Sequence, residues 1–195
     1  MDYTRIITQR IESHIETANA TLSDRYLLEK TAHITGLLVD CYRAGNKLYI
    51  CGNGGSAADA QHIAAELSGK FYIDRSSLFA EAMHVNTSYM TAVANDYGFD
   101  YVYERIIDGQ GRAGDVLIGL STSGNSANIL RAVNKANEKG MVTIGLTGKQ
   151  GGQLLKTVQH NICVPSDDTP RIQEIHILLM HIVCELVESA LFSKK

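Results

Sequence analysis

No stretch of this sequence approaches the roughly 20 consecutive apolar residues of a membrane-spanning helix, so no membrane contact is expected of it. The first residues carry Asp2, Arg5, Arg10 and Glu12 at close intervals and lack the apolar core of a secretory leader, which points to the cytoplasm. Cysteine is scarce. Cys41, Cys51, Cys163 and Cys184 lie far apart in apolar segments and read as reduced core residues rather than a disulfide framework. Nor is there a surplus of basic charge. With 18 Lys and Arg against 21 Asp and Glu the formal charge is −3, which gives no reason to expect nucleic acid or an anionic surface as partner. Low-complexity linkers and clear repeats are also missing, so the 195 residues are expected to form a single domain, 1–195.

What is present is an alternation of short apolar runs with longer helical patterns. Ile6, Ile7, Ile11, His14 and Ile15 recur three and four apart and predict a helix over 2–17; Leu27, Leu28, Ala32, Ile34, Leu37, Leu38 and Cys41 predict a second over 25–44. Strands are expected at 47–51, 78–84, 116–120, 142–146 and 161–164, and further helices at 86–94, 101–107, 127–139, 154–157 and 171–191, with Asn95 to Gly98 as a link. Strands separated by helices argue for right-handed crossovers and a parallel sheet covered on both faces. The fold class is therefore α/β, a three-layer sandwich with a doubly wound, flavodoxin-like central sheet preceded by N-terminal helices.

Ligands of such sheets bind at the carboxyl ends of the strands, and two polar loops fall there. The first is Gly52-Asn53-Gly54-Gly55-Ser56, between an apolar strand and an alanine-rich helical segment. It is neither G-x-G-x-x-G nor a Walker loop with its lysine. Its glycines permit close backbone approach to a ligand, Ser56 is placed to cap the helix, and a helix N-terminus suits an anion. His62 and Glu66, four apart, project from one face of that helix among Ala57, Ala58, Ala60, Ala64 and Ala65, small residues that suit close packing. Elsewhere such a pair is commonly a surface helix pair.

The second loop, Ser121-Thr122-Ser123-Gly124-Asn125-Ser126, brings four hydroxyls between a strand and a helix start. Hydroxyls and free N–H groups can surround a phosphate without Lys or Arg; a serine-rich turn with Ser126 as cap is the plainer alternative. On the last helix Gln173 and His181 are eight residues apart, roughly 80° around the helix and about 12 Å along it. His176 lies between them, and spacing does not choose His181 over His176.

Together the glycine loop, the serine loop and Arg171-Ile172-Gln173-Glu174-Ile175-His176 resemble the sugar-isomerase (SIS) domain family, and within it the phosphoheptose isomerases, over nearly the whole chain. The resemblance implies residues 1–45 as N-terminal helices for oligomerisation and 46–195 as the α/β core. It implies conversion of D-sedoheptulose 7-phosphate to D-glycero-D-manno-heptose 7-phosphate, the first step toward activated heptose precursors such as those of lipopolysaccharide. By position it implies substrate contacts from Asn53, Gly54, Gly55, Ser56, Glu66, Asn95, Asp96, Ser121, Thr122, Ser123, Ser126 and Gln173. It also implies one Zn2+ per subunit held by His62, Glu66, Gln173 and His181, proton transfer by Glu66 and His181, and a homotetramer with active sites at subunit interfaces. One departure is Lys70, where some relatives carry arginine; lysine keeps the charge but loses the bidentate fork.

Ketose–aldose exchange moves a proton between C1 and C2 through an enediol, which needs a base, an acid and a holder of negative charge. A carboxylate and a histidine supply the first two, and a metal with nitrogen and oxygen ligands could polarise the carbonyl. The alternative is a non-enzymatic SIS protein that binds a replication initiator. Such a module has no need of the Glu66/His181 pair. A sugar-phosphate-sensing regulator would carry a DNA-binding domain, for which there is no basic patch or extra length.

Overall fold

The structure, a computed structural model, describes residues 1–193. Its centre is a sheet of five parallel strands, β1 (Leu48–Gly52), β2 (Ala80–Ala82), β3 (Val116–Ser121), β4 (Val142–Thr147) and β5 (His160–Cys163), in the order β2-β1-β3-β4-β5. The helices are α1 (Tyr3–Ser23), α2 (Arg25–Arg43), α3 (Gly55–Ser68), α4 (Thr87–Tyr97), α5 (Val102–Gln110), α6 (Ala127–Glu138), α7 (Leu154–Thr157) and α8 (Thr169–Phe192). This is the three-layer, doubly wound arrangement expected from the sequence.

Alternation along the strands makes the layers. Leu48 and Ile50 of β1 and Val116, Ile118 and Leu120 of β3 face α2, α3 and α8, while Tyr49, Cys51 and Leu117 face α4, α5 and α6. Both faces are buried, so these strands read as continuous apolar runs. Because β1 pairs with β2 on one side and β3 on the other, the winding reverses between β1 and β3. Their register sets Gly52 opposite Leu120. The loops after β1 and β3 therefore leave the sheet side by side, at the switch point where α/β sheets open a crevice.

Several boundaries differ from the sequence expectation. α1 runs to Ser23 rather than 17, with the Thr17 and Thr21 hydroxyls bonded to carbonyls one turn back, and Asp24 then caps α2 through Leu27 N–H at 3.0 Å. β2 is three residues long, because Leu78 N–H bonds to Leu67 O instead of to the sheet. Asn95, Asp96 and Tyr97 belong to the last turn of α4. Ser56 is not a cap: Gly54 holds that position, and no side chain caps α3.

The expectation of no long apolar segment is also corrected. α8 is long and apolar enough by composition to cross a membrane, with a mean hydropathy of 1.8 over 18 residues. Polar residues interrupt it, and in the fold it is a core helix whose Ile172, Ile175, Leu179, Met180, Val183 and Val187 are buried.

An ion pair fixes α8 against the end of α3. Glu188 accepts the backbone N–H groups of Phe71, Tyr72 and Ile73 and Nε of Arg75 at 2.6 to 2.9 Å. Burial works against this carboxylate, yet those donors hold it below the ordinary carboxylate range. Arg75 spends its other nitrogens on the carbonyls of Glu66, Leu67, Gly69 and Ser76, closing the C-terminus of α3. Both side chains are almost wholly buried.

Candidate active site

On α3, Gly55, Asp59, His62 and Glu66 fall at i, i+4, i+7 and i+11, one stripe of the helix. On α8, Gln173, Ile177, His181, Cys184 and Glu188 make the matching stripe. The two helices run the same way: Gln173 meets Ser56, His181 meets His62, and Glu188 meets the chain just beyond α3.

At mid-length three sequence-predicted groups converge. His62 Nε2 lies 3.1 Å from Glu66 Oε1 and 3.0 Å from His181 Nε2. The ligand atoms of all three lie within 4.8 Å of one another. The group is open: the His62 side chain is 50% exposed and that of Glu66 26%. Two nitrogens and a carboxylate oxygen are a donor set that zinc accepts. Bonds of about 2.0–2.1 Å in a tetrahedron separate ligand atoms by roughly 3.3 Å, close to the two spacings from His62. Asp59, on the same stripe, has a buried Oδ2 without a partner. Burial pushes its carboxyl above the usual range, with His62 partly offsetting the effect. Sequence reasoning missed Asp59, although its place one turn before His62 was a legible signal.

Gln173 sits at the glycine-loop end of the stripe. Its Nε2 is 3.4 Å from Ser56 Oγ, and a Cβ on Gly55 would come within 2.6 Å of it, so a side chain there would push the Gln173 amide aside. Six residues separate Ser56 from His62, about 9 Å along the helix. His176 and His181, which spacing left open, are cleanly separated. His176 is fully buried, with Nε2 3.1 Å from Thr147 O, and burial pulls its pKa down to about 4.

In the glycine loop Gly54 takes φ +56°, a conformation that side chains rarely adopt. Tyr103, buried on α5, donates its hydroxyl to Gly52 O at 2.6 Å, and Asn53 bonds across to Asn128 of α6. In the serine loop Ser121 Oγ accepts Gly124 N–H at 3.1 Å and lies 3.0 Å from Ser126 Oγ, while Ser123 Oγ accepts Asn125 N–H. Ser126 occupies the cap position of α6 without a side-chain capping bond. Thr122 and Ser123 are partly exposed at the strand end. Asn95 and Asp96 are exposed on α4 and bonded to each other, and among the described residues no hydrogen bond joins them to either loop. Lys70, just past α3, is exposed.

A parallel sheet of this order, with two small-residue loops at its switch point and the His62, Glu66 and His181 cluster on the helix that follows the first, defines an α/β protein with a ligand crevice at its strand ends. Comparison with known proteins agrees: the SIS domain profile matches residues 3–148. The phosphoheptose isomerase of Clostridium acetobutylicum is 48% identical over 189 residues, covering 97% of this chain and 96% of that protein. The solved phosphoheptose isomerase of Neisseria gonorrhoeae superposes with a TM-score of 0.90 at 41% identity, covering 95% of this chain and 98% of that one. That of Francisella tularensis gives 0.93 at 34% identity, covering 97% and 100%. The chain belongs to the SIS domain family, together with these proteins named phosphoheptose isomerase.

Proposed function

We propose that the chain is a ketose–aldose isomerase that converts sedoheptulose 7-phosphate to D-glycero-D-manno-heptose 7-phosphate, an early step toward heptose-containing glycans. The observation that carries this reading is the meeting of Glu66 with His62 and His181 on the helix that follows the glycine loop. Near-full-length similarity to proteins named for this activity supports it. A module that only binds a replication initiator would gain nothing from that convergence.

In this reading the serine loop and the N-terminus of α6 take the phosphate, through Ser121, Thr122, Ser123 and Ser126. The glycine loop, with Asn53, Gly54, Gly55, Ser56 and Gln173, takes the sugar chain. Glu66 turns Oε1 to His62, leaving its second oxygen for the proton on C1. His181 carries the proton between O1 and O2. Removal of the C1 proton with protonation of O2 gives the enediol; return of a proton to C2 with loss of the O1 proton gives the aldehyde. Zinc, when bound by His62, Glu66 and His181, would supply Lewis-acid polarisation or structural order, with Gln173 left at Ser56 as a substrate contact.

Apolar rows left uncovered by the single chain support a homotetramer with sites at subunit interfaces. Tyr3, Ile7, Ile11, Ile15 and Leu22 are at least half exposed on α1, and Leu178, Ile182 and Leu186 form an exposed row on α8 next to His181. Asn95 and Asp96 would reach the substrate across such an interface. All four cysteines are free, in keeping with a cytoplasmic place.

The test is incubation of purified protein with sedoheptulose 7-phosphate, followed by NMR. Appearance of the heptose aldehyde's anomeric signals is expected; unchanged substrate with folded, zinc-supplied protein rejects the reading.

A further inference from the structure

Asn128 stands in the first turn of α6, is 2% exposed, and has no role in the sequence analysis above. Its amide meets that of Asn53 in a reciprocal pair. Asn128 Nδ2 donates to Asn53 Oδ1 and Asn53 Nδ2 donates to Asn128 Oδ1, each at 2.9 Å. Asn128 Oδ1 also accepts the backbone N–H of Ile129 at 3.0 Å. That third bond breaks the symmetry of the pair. Ile129 N–H is shared with Ser126 O at 3.1 Å, and an amide NH2 turned toward that donor would be repelled, so the oxygen of Asn128 faces it and sets the oxygen and nitrogen ends of Asn53. Asn53 Oδ1 then accepts one bond and keeps one lone pair, and Nδ2 keeps one of its two hydrogens. What Asn53 has left to offer a ligand is one N–H and one lone pair, both set in direction by the pair.

We propose that Asn128 is a positioning residue that ties α6 to the glycine loop and sets Asn53 to donate its free N–H to an oxygen of the sugar phosphate. The inference rests on the reading of Asn53 as a substrate contact. It predicts that the Asn53 amide meets the ligand in one fixed orientation. It also predicts that the helix at whose N-terminus the phosphate would sit holds the sugar-side contact in place.

The experiment compares Asn53→Ala, Asn128→Ala, the double variant and Asn128→Asp. The aspartate variant is nearly isosteric and keeps acceptors for Ile129 N–H and Asn53 Nδ2, but has no donor for Asn53 Oδ1. Each single change is expected to raise KM for sedoheptulose 7-phosphate about tenfold, the loss of one good hydrogen bond, with kcat changed less than about threefold. Inhibition by inorganic phosphate should move less than about twofold, and the double variant should match Asn53→Ala alone, because the two residues act as one unit. A merely structural Asn128 would instead lower Tm with KM intact, or multiply its effect onto that of Asn53→Ala; either result overturns the proposal. Affinity is also read by calorimetry with the same sugar phosphate. Absent turnover by the wild-type protein therefore rejects the isomerase reading, while the affinities still judge Asn128. Should the Asn128 variants not fold, the wild-type protein gives the answer through its 15N-labelled side-chain amides. One Asn53 proton should shift on adding the sugar phosphate, and no shift overturns the proposal.

Discussion

His62 and His181, 119 residues apart in the chain, bring their Nε2 atoms to 3.0 Å. Two imidazole nitrogens that close either share a proton or turn both lone pairs on one cation. With Glu66 Oε1 3.1 Å from the first nitrogen, the second arrangement is the better satisfied. Protein purified without chelator is therefore expected to carry close to one zinc per chain. His62→Ala should lose it and His176→Ala should keep it. No cysteine thiolate contributes, so chelators should strip the ion more readily than from a Cys₄ site. Elemental analysis of the two variants decides; metal retained in His62→Ala and lost from His176→Ala would overturn the ligand set.

The hydroxyls of the serine loop are expected to bind phosphate rather than the sugar chain. Ser121 and Ser126 are turned toward each other, while Ser123 is partly exposed at the strand end. Ser123→Ala should weaken inorganic phosphate and sedoheptulose 7-phosphate by a similar factor, roughly three- to tenfold for one lost hydrogen bond. Isothermal titration with both ligands checks this, and a loss confined to the sugar phosphate contradicts it.

Acid should destabilise the fold through His176. Its pKa falls from 6.5 unfolded to about 4 in the buried site. Between those values the unfolded chain binds more protons, so stability rises with pH across that window. The neutral imidazole's contribution is complete above about pH 6.5 and is lost as pH falls toward 4, by roughly 2–3 kcal/mol. Denaturant titrations at pH 7 and 5 should show a smaller difference for His176→Gln than for the wild-type protein. An equal difference would remove His176 from the account.

The Arg75–Glu188 pair should matter to both stability and activity. Glu188→Ala leaves the guanidinium and three backbone N–H groups buried without their acceptor, which costs about 3–5 kcal/mol for a broken buried pair. The C-terminus of α3, and with it Glu66, also loses its hold on α8. Thermal unfolding and kcat are the readouts; a change under about 1 kcal/mol would show that the clamp is dispensable.

Much of this arrangement was legible in the residues because local chemistry dictates it. The apolar runs of β1, β3 and β4 have no other home than a covered parallel sheet, and their polar ends had to meet a ligand edge. His62 and Glu66 were legible as a pair because helix geometry fixes their spacing. The choice of His181 over His176 was not, since both lie on an apolar helix and only packing against Thr147 or against α3 separates them. The capping role expected of Ser56 failed for a tertiary reason: Gln173 draws its hydroxyl, and Gly54 takes the cap with a backbone angle no serine favours. Asn128 was invisible because its partner, Asn53, lies 75 residues away.

The central claim is that Glu66 moves a proton at carbon. The most direct measurement is 1H NMR of sedoheptulose 7-phosphate turnover in D2O, with the wild-type protein and with zinc-loaded Glu66→Gln. The account predicts a heptose aldehyde carrying deuterium at C2 from the wild-type protein, and conversion slower by at least about 10²-fold from the variant. Near-normal turnover by folded, zinc-loaded Glu66→Gln would contradict it.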